Sequence, residues 1–173
     1  INKASVDLAK RVVAASFKDV LVAGGVGPLG VRIAPFGRVQ PEEAREAFAE
    51  QIQALADAGA DLIVIETFSD LYEIREAIHA ARDVGRLRES PLPVVASVTF
   101  TREDRTRLGD HPAKVARALD EAGADVIGVN CSVGPHGVLE AIEHLARVVT
   151  LPLSAMPNAG LPRQQGSALV YPA

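Results

Sequence analysis

The chain has no tryptophan, one methionine, one cysteine and only 4% aromatic residues. A single cysteine excludes an internal disulfide and suits a reducing compartment, so a cytoplasmic protein is expected. There is no basic cluster and no interleaving of basic with aromatic residues, and the formal net charge is −4. That argues against nucleic acid and against anionic membrane surfaces as partners. No apolar run approaches the roughly 18 residues a membrane span needs, and no signal-peptide pattern is visible. The first residue is Ile1 rather than methionine, which reads as the start of an interior piece. What is present is 173 residues, 48% of them hydrophobic, enough for one domain with a real core.

The apolar residues fall into a regular alternation. Helical spacing marks Ala4–Ala15, then Pro41 to Ala58-Gly59 with Ala44, Phe48, Ile52 and Leu55 on the buried face, then Leu71–Val84, Pro112–Ala122 and Val138–Val148. Proline in the first turn, Glu42 and Glu43 beside it, and glycine at the end are sound helix boundaries for the second of these. Between the helices lie short β-branched runs: Asp19–Ala23, Asp61–Ile65, Pro93–Val98, Val126–Val129 and Leu151–Ala155. They do not alternate with polar residues, as expected of parallel strands covered on both faces. The tail to Ala173 reads as irregular.

A repeat sets the beat. Ala58-Gly59-Ala60-Asp61-Leu62-Ile63 returns 64 residues later as Ala122-Gly123-Ala124-Asp125-Val126-Ile127. Strand–helix units of about 30 residues belong to (β/α)₈ barrels, with a doubly wound sheet as the alternative. The expected fold is therefore α/β, an incomplete TIM (β/α)₈ barrel with about five parallel strands and outer helices, some three strands short of closure.

In such a barrel the carboxyl ends of all strands meet on one rim. They supply Gly24 to Gly27, Glu66 and Thr67, Ser97 and Thr99, Asn130 and Cys131, and Met156 with Asn158. Gly25, Gly27 and Gly30 match a dinucleotide fingerprint, but Pro28 interrupts it and no helix starts at Gly30, so a tight turn beside a pocket is the better reading. The rim holds no histidine. His136 is near Cys131 in sequence, yet no orienting group for a Cys–His pair is evident. An inert buried cysteine is the alternative for Cys131.

Four stretches together resemble the homocysteine S-methyltransferase family, zinc-dependent barrels that include the homocysteine-binding module of cobalamin-dependent methionine synthase. They are Val22-Ala23-Gly24-Gly25-Val26-Gly27-Pro28, Ile65-Glu66-Thr67-Phe68-Ser69-Asp70, Gly128-Val129-Asn130-Cys131-Ser132 and Pro157-Asn158-Ala159-Gly160-Leu161-Pro162. The resemblance covers nearly the whole chain. It implies that Cys131 is the first of three zinc-binding cysteines, the other two being an adjacent pair after a Gly-Gly turn on the final strand. That pair is absent here, as is the Asp-Gly start of the first strand. Residues 1–173 thus resemble the middle of the domain, without its first strands and its last.

The implied reaction is methyl transfer to the zinc-activated thiolate of homocysteine, giving methionine, with Cys131 essential to it. Glu66 is expected to take the substrate ammonium, unless it pairs with a neighbouring arginine. Ser97, Thr99 and Asn130 join it as candidate substrate-binding residues, Asn130 mainly by shaping the rim. Asn158 would fill the open zinc position or bond the substrate, unless it is a turn amide bonding its own backbone. A corrinoid or folate methyl donor would bind other modules. Two alternatives stay open: a metal-free barrel enzyme of another class, and a non-catalytic barrel fragment serving as a binding or structural module. An aldolase-like chemistry would need a lysine at a strand end, and Lys3, Lys10, Lys18 and Lys114 all fall on or beside helices. On its own the chain, with one cysteine, is expected to be inactive.

Overall fold

The computed structural model describes residues 1–160 and 162–171. Helix α1 (Asn2–Ser16) leads to strand β1 (Ala23–Val26). Helix and strand then alternate through α2 (Pro41–Asp57), β2 (Leu62–Phe68), α3 (Leu71–Arg86), β3 (Val94–Val98), α4 (Pro112–Ala122), β4 (Val126–Asn130), α5 (Pro135–Ala146) and β5 (Leu153–Met156). The five strands lie side by side in chain order and every pair is parallel. An order without reversal excludes the doubly wound sheet, whose order turns back at a switch point. The architecture is part of a (β/α)₈ barrel.

Alternation along the strands divides the sheet into two faces. Val26, Ile63, Ile65, Ala96, Val98, Ile127 and Val129 are buried with Phe48 and Ile52 of α2, Ile74 and Ile78 of α3, and Val115 and Leu119 of α4. Phe48 and Phe68 meet at a tilt within this core, ring centroids 5.8 Å apart and planes at 49°. The opposite face, the lumen of a barrel, carries Gly25, Val64 and Val95 in one register row and Ser97, Gly128 and Ser154 in another.

Several boundaries differ from the sequence reading. The first strand lies at Ala23–Val26 rather than Asp19–Ala23. Asp61 sets its place. The Val22 amide donates to Asp61 Oδ2 at 2.7 Å and the Asp61 amide donates to the Val22 carbonyl at 2.8 Å, so the ladder starts at Ala23. Val20 and Leu21 stay exposed in consequence. Gly24 falls inside the strand, where a Cβ would sit 3.1 Å from Leu55 Cβ and Ile63 Cδ1; glycine lets α2 close onto the sheet. No helix starts at Gly30, the next being α2 at Pro41, so the dinucleotide unit is not formed. Helix α5 begins at Pro135, not Val138, with proline at its first position. Strand β5 is displaced two residues from the Leu151 start. The tail expected to be irregular holds a hairpin, β6 (Arg163–Gln165) antiparallel to β7 (Ala168–Val170), turning at Gly166 with φ +63°. Arg-Gln-Gln has no apolar alternation to announce a strand. Leu161, in the last of the four motif stretches, lies outside the described residues.

Candidate functional site

Strands β2 and β4 both end in strained backbone. Thr67 has φ +67°, and Cys131 and Ser132 have φ +56° and +59°. Each left-handed non-glycine residue costs on the order of 1 kcal/mol, and a β-branched threonine there is a true outlier.

One buried amide holds both ends. Asn130 is 1% exposed. Its Oδ1 accepts the Thr67 backbone N–H at 3.0 Å, and its Nδ2 donates to Thr67 Oγ1 at 2.9 Å and to Cys131 Sγ at 3.4 Å. Thr67 Oγ1 lies 3.9 Å from the same sulfur. The Cys131 amide continues the ladder, donating to the Met156 carbonyl at 3.1 Å. The amide therefore ties β2 to β4 across the end of β3 and aims an N–H at the thiol. Such a donor suits a sulfur that carries negative charge.

Above this cluster is a cavity of about 590 Å³. Thr67, Thr99, Cys131 and Ser132 line it from the strand ends, Pro28, Gly30 and Arg32 from the loop after β1, Glu73 from α3, and Arg107 from the loop after β3. Of the rim groups singled out in sequence, Thr67, Thr99 and Cys131 reach the cavity wall. Thr99 is fixed there by two donations to the Phe68 carbonyl, from its amide at 2.7 Å and its hydroxyl at 3.2 Å. Asn130 lies behind the wall, its amide committed to Thr67 and Cys131.

Glu66 and Ser97 are not in the wall. Glu66 is half-buried on the lumen face, its Oε1 3.9 Å from where a Cβ on Gly25 would stand. Ser97 is wholly buried, and its hydroxyl has no hydrogen-bond partner among the described residues. It faces Gly128, where a Cβ would run into that hydroxyl and lie 3.1 Å from Ser154. Asn158 is on the next rim loop, half-buried, with its backbone N–H donating to the Val133 carbonyl at 3.4 Å.

A Cys131–His136 pair is not formed: His136 is exposed and lies 3.3 Å from Glu140. Two features escaped the sequence reading. Arg32 and Arg107 give the cavity its cations. Glu73 gives it a buried carboxylate, 6% exposed, pushed up from its ordinary value by burial, with the Leu29 N–H pulling it down and Asp70 adding to the rise. Its spacing was the available signal, because positions 73, 77, 80 and 84 all fall on the buried side of α3.

The homocysteine S-methyltransferase family model matches residues 1–173. The chain belongs to this family. The methionine synthase of Mycobacterium tuberculosis is 34% identical over 151 residues, 87% of this chain and 13% of that protein. That of Mycobacterium leprae is 32% identical over the same length, 12% of its own chain. The chain thus spans about an eighth of these relatives. Among solved structures, the homocysteine methyltransferase MmuM of Escherichia coli is similar in its apo form at a TM-score of 0.77 and 26% identity, covering 92% of this chain and 60% of that one. Its metallated form gives 0.73 and 27%, over 92% and 58%. In this chain, no group of three or more His, Cys, Asp or Glu side chains could hold a metal among the described residues. Cys131 is a single soft donor at the rim of the family's fold.

Proposed function

We propose that the protein transfers a methyl group to the sulfur of homocysteine to give methionine, and that residues 1–173 form the middle part of its barrel. The observation that carries this is the placement of Cys131, a thiol at the carboxyl end of a barrel strand, facing the cavity and receiving an N–H from Asn130. The open five-stranded sheet and the 60% coverage of the bacterial methyltransferase support the assignment to a middle part.

Zinc fits this chain as far as the chain goes. Cys131 offers one thiolate of the soft set zinc prefers, and two further cysteines would come from outside these residues. Bound there, zinc supplies the Lewis acidity that keeps a substrate thiol deprotonated and nucleophilic at neutral pH. The chain's own part is binding and orientation. Glu66 takes the ammonium group. Ser97, wholly buried against Gly128 and with no hydrogen-bond partner among the described residues, would reach the substrate's amino-acid end only through the lumen beneath the cavity, and Thr99 and Asn158 bound the rim. Asn130 acts through Cys131. A methyl donor that was a corrinoid or a folate would bind other modules. A thiol that must stay reduced fits a cytoplasmic setting, and no helix among the described residues is long and apolar enough to cross a membrane. A Schiff-base enzyme on the same barrel finds no support, since Lys3 and Lys10 lie on α1, Lys114 on α4 and Lys18 just beyond α1.

The test is calorimetric titration of L-homocysteine into the zinc-loaded full-length protein. Binding accompanied by proton release is expected, with no binding after chelation. Homocysteine binding that survives metal removal would overturn the reading.

A further inference from the structure

Helices α2 and α3 each carry a glutamate at the third position of the first turn. In α2 it serves its own helix: Glu43 accepts the Gln40 backbone N–H at 2.8 Å, half of a capping box. In α3 the cap is satisfied without it, because Asp70 accepts the Tyr72 N–H at 2.8 Å. Glu73 instead reaches 44 residues back along the chain and accepts the Leu29 backbone N–H at 2.7 Å. It does so while buried and with no ion pair among the described residues. A carboxylate withdrawn from water for one backbone contact is costly, and such departures from local rules gather at functional sites.

The segment it holds forms one wall of the cavity. Pro28, Gly30, Val31 and Arg32 line it, facing Cys131 and Ser132. Only the Leu29 side chain, half-buried against the core, and Ile33 beyond it anchor the segment by packing; Pro28, Gly30, Val31 and Arg32 are exposed, and a Cβ on Gly27 or Gly30 would meet nothing within 4 Å.

We propose that Glu73 is a positioning residue that latches the Gly27–Gly30 loop to α3 and so fixes the wall against which the thiol substrate is held. The latch stands on the geometry alone; its effect on substrate rests on the homocysteine reading. The carboxylate's displaced ionisation is consistent with a group kept buried for this contact rather than for solvation.

The experiment pairs two measurements on the full-length, zinc-loaded protein and three variants. Hydrogen exchange reads the Leu29 amide, and calorimetry reads the Kd for L-homocysteine. Glu73→Leu suits the apolar side of α3 and should fold. It should speed exchange at Leu29 and weaken homocysteine roughly tenfold, the worth of a hydrogen bond to a charged group. Glu73→Gln keeps an acceptor oxygen and should restore both to within about threefold of the parent. Glu43→Leu should change neither, although it loosens its own helix end. Unchanged exchange at Leu29 in Glu73→Leu would overturn the latch. Faster exchange with an unaltered Kd would overturn its role in positioning substrate. Should the parent bind no homocysteine, the activity reading fails, and the exchange result still decides the latch.

Discussion

Residues 58–63 read Ala-Gly-Ala-Asp-Leu-Ile and residues 122–127 read Ala-Gly-Ala-Asp-Val-Ile, and the two stretches fold alike down to single contacts. Gly59 and Gly123, at φ +91° and +97°, turn the chain out of α2 and α4. Asp61 and Asp125 each accept, at 2.7 Å, the amide N–H at the head of the neighbouring strand, from Val22 and Val94. Each aspartate also meets a cation two helices upstream, Lys10 at 3.5 Å or Arg82 at 2.8 Å. A few residues on, the likeness ends. One strand closes on Glu66-Thr67, the other on Asn130-Cys131. The shared ends solve a shared problem, starting a parallel strand beside its neighbour. The unlike ends give one rim different groups, and in barrels that is the rim where chemistry sits.

The comparison breaks most sharply at Cys131 and Thr67. Cys131→Ala in the full-length protein should strip zinc and lower homocysteine methylation roughly a thousandfold, the scale of losing a Lewis acid. Thermal unfolding should barely move, since the thiol is at the rim and not in the core. Thr67→Ala, at the matching end of β2, should keep zinc and most activity. Zinc content, turnover and melting curves measured side by side check both. A Cys131 variant that retains its metal would remove it from the ligand set.

Asn130 joins the two ends, so its loss should be felt in both. Asn130→Ala abandons three hydrogen bonds in a buried place, which should cost about 2–4 kcal/mol in denaturant unfolding. Zinc affinity should fall about 10–100-fold, as when a group that orients a ligand is lost. Stability lost with zinc affinity intact would make Asn130 a strand tie and nothing more.

These two residues also show what sequence can reveal. Cys131 was legible because it is the only cysteine and ends an apolar run. The strands were legible because burial on both faces erases polar alternation. The Asn130 clamp was not, since its partner Thr67 is 63 residues away and nothing local marks the pair. The first strand was misplaced for a similar reason. Val20, Leu21 and Val22 look like a strand, yet Asp61, 39 residues on from Val22, decides where pairing begins. Local pattern fixes element type; the start of a ladder is set by a distant partner.

Glu73 gives the β2 side a pH dependence. Its folded ionisation lies above the ordinary carboxylate value of 4.5, burial being the main cause. The stability it contributes is therefore fully present below that value and is lost as pH rises through the raised one. Glu73→Gln should flatten this part of the profile and gain stability relative to the parent on the alkaline side. Melting temperatures from pH 4 to 8 test the sign. A parent that gains stability from this group as pH rises would contradict it.

The smallest effect is expected at the amino ends, where the two stretches are most alike. Lys10 reaches Asp61 at 3.5 Å with both side chains well exposed, and solvent screens such a pair to a few tenths of a kcal/mol. Arg82 is more sheltered and does more. Its Nε donates to the Gly123 carbonyl at 2.6 Å, its Nη2 donates to the same oxygen, and it pairs with Asp125 at 2.8 Å. A lysine cannot make that forked contact. Lys10→Met should thus cost under about 0.5 kcal/mol, and Arg82→Met about 1–2 kcal/mol. Neither should alter zinc content or homocysteine affinity, because both cations sit at the end of the sheet away from the cavity. Denaturant midpoints of the two variants in 0.05 M and 0.5 M salt separate the causes. The small Lys10 difference should vanish at high salt, while the carbonyl contacts of Arg82 should keep most of theirs. Equal losses at both positions would mean that the repeat is energetically symmetric, and that the forked arginine adds nothing to what a single ammonium supplies.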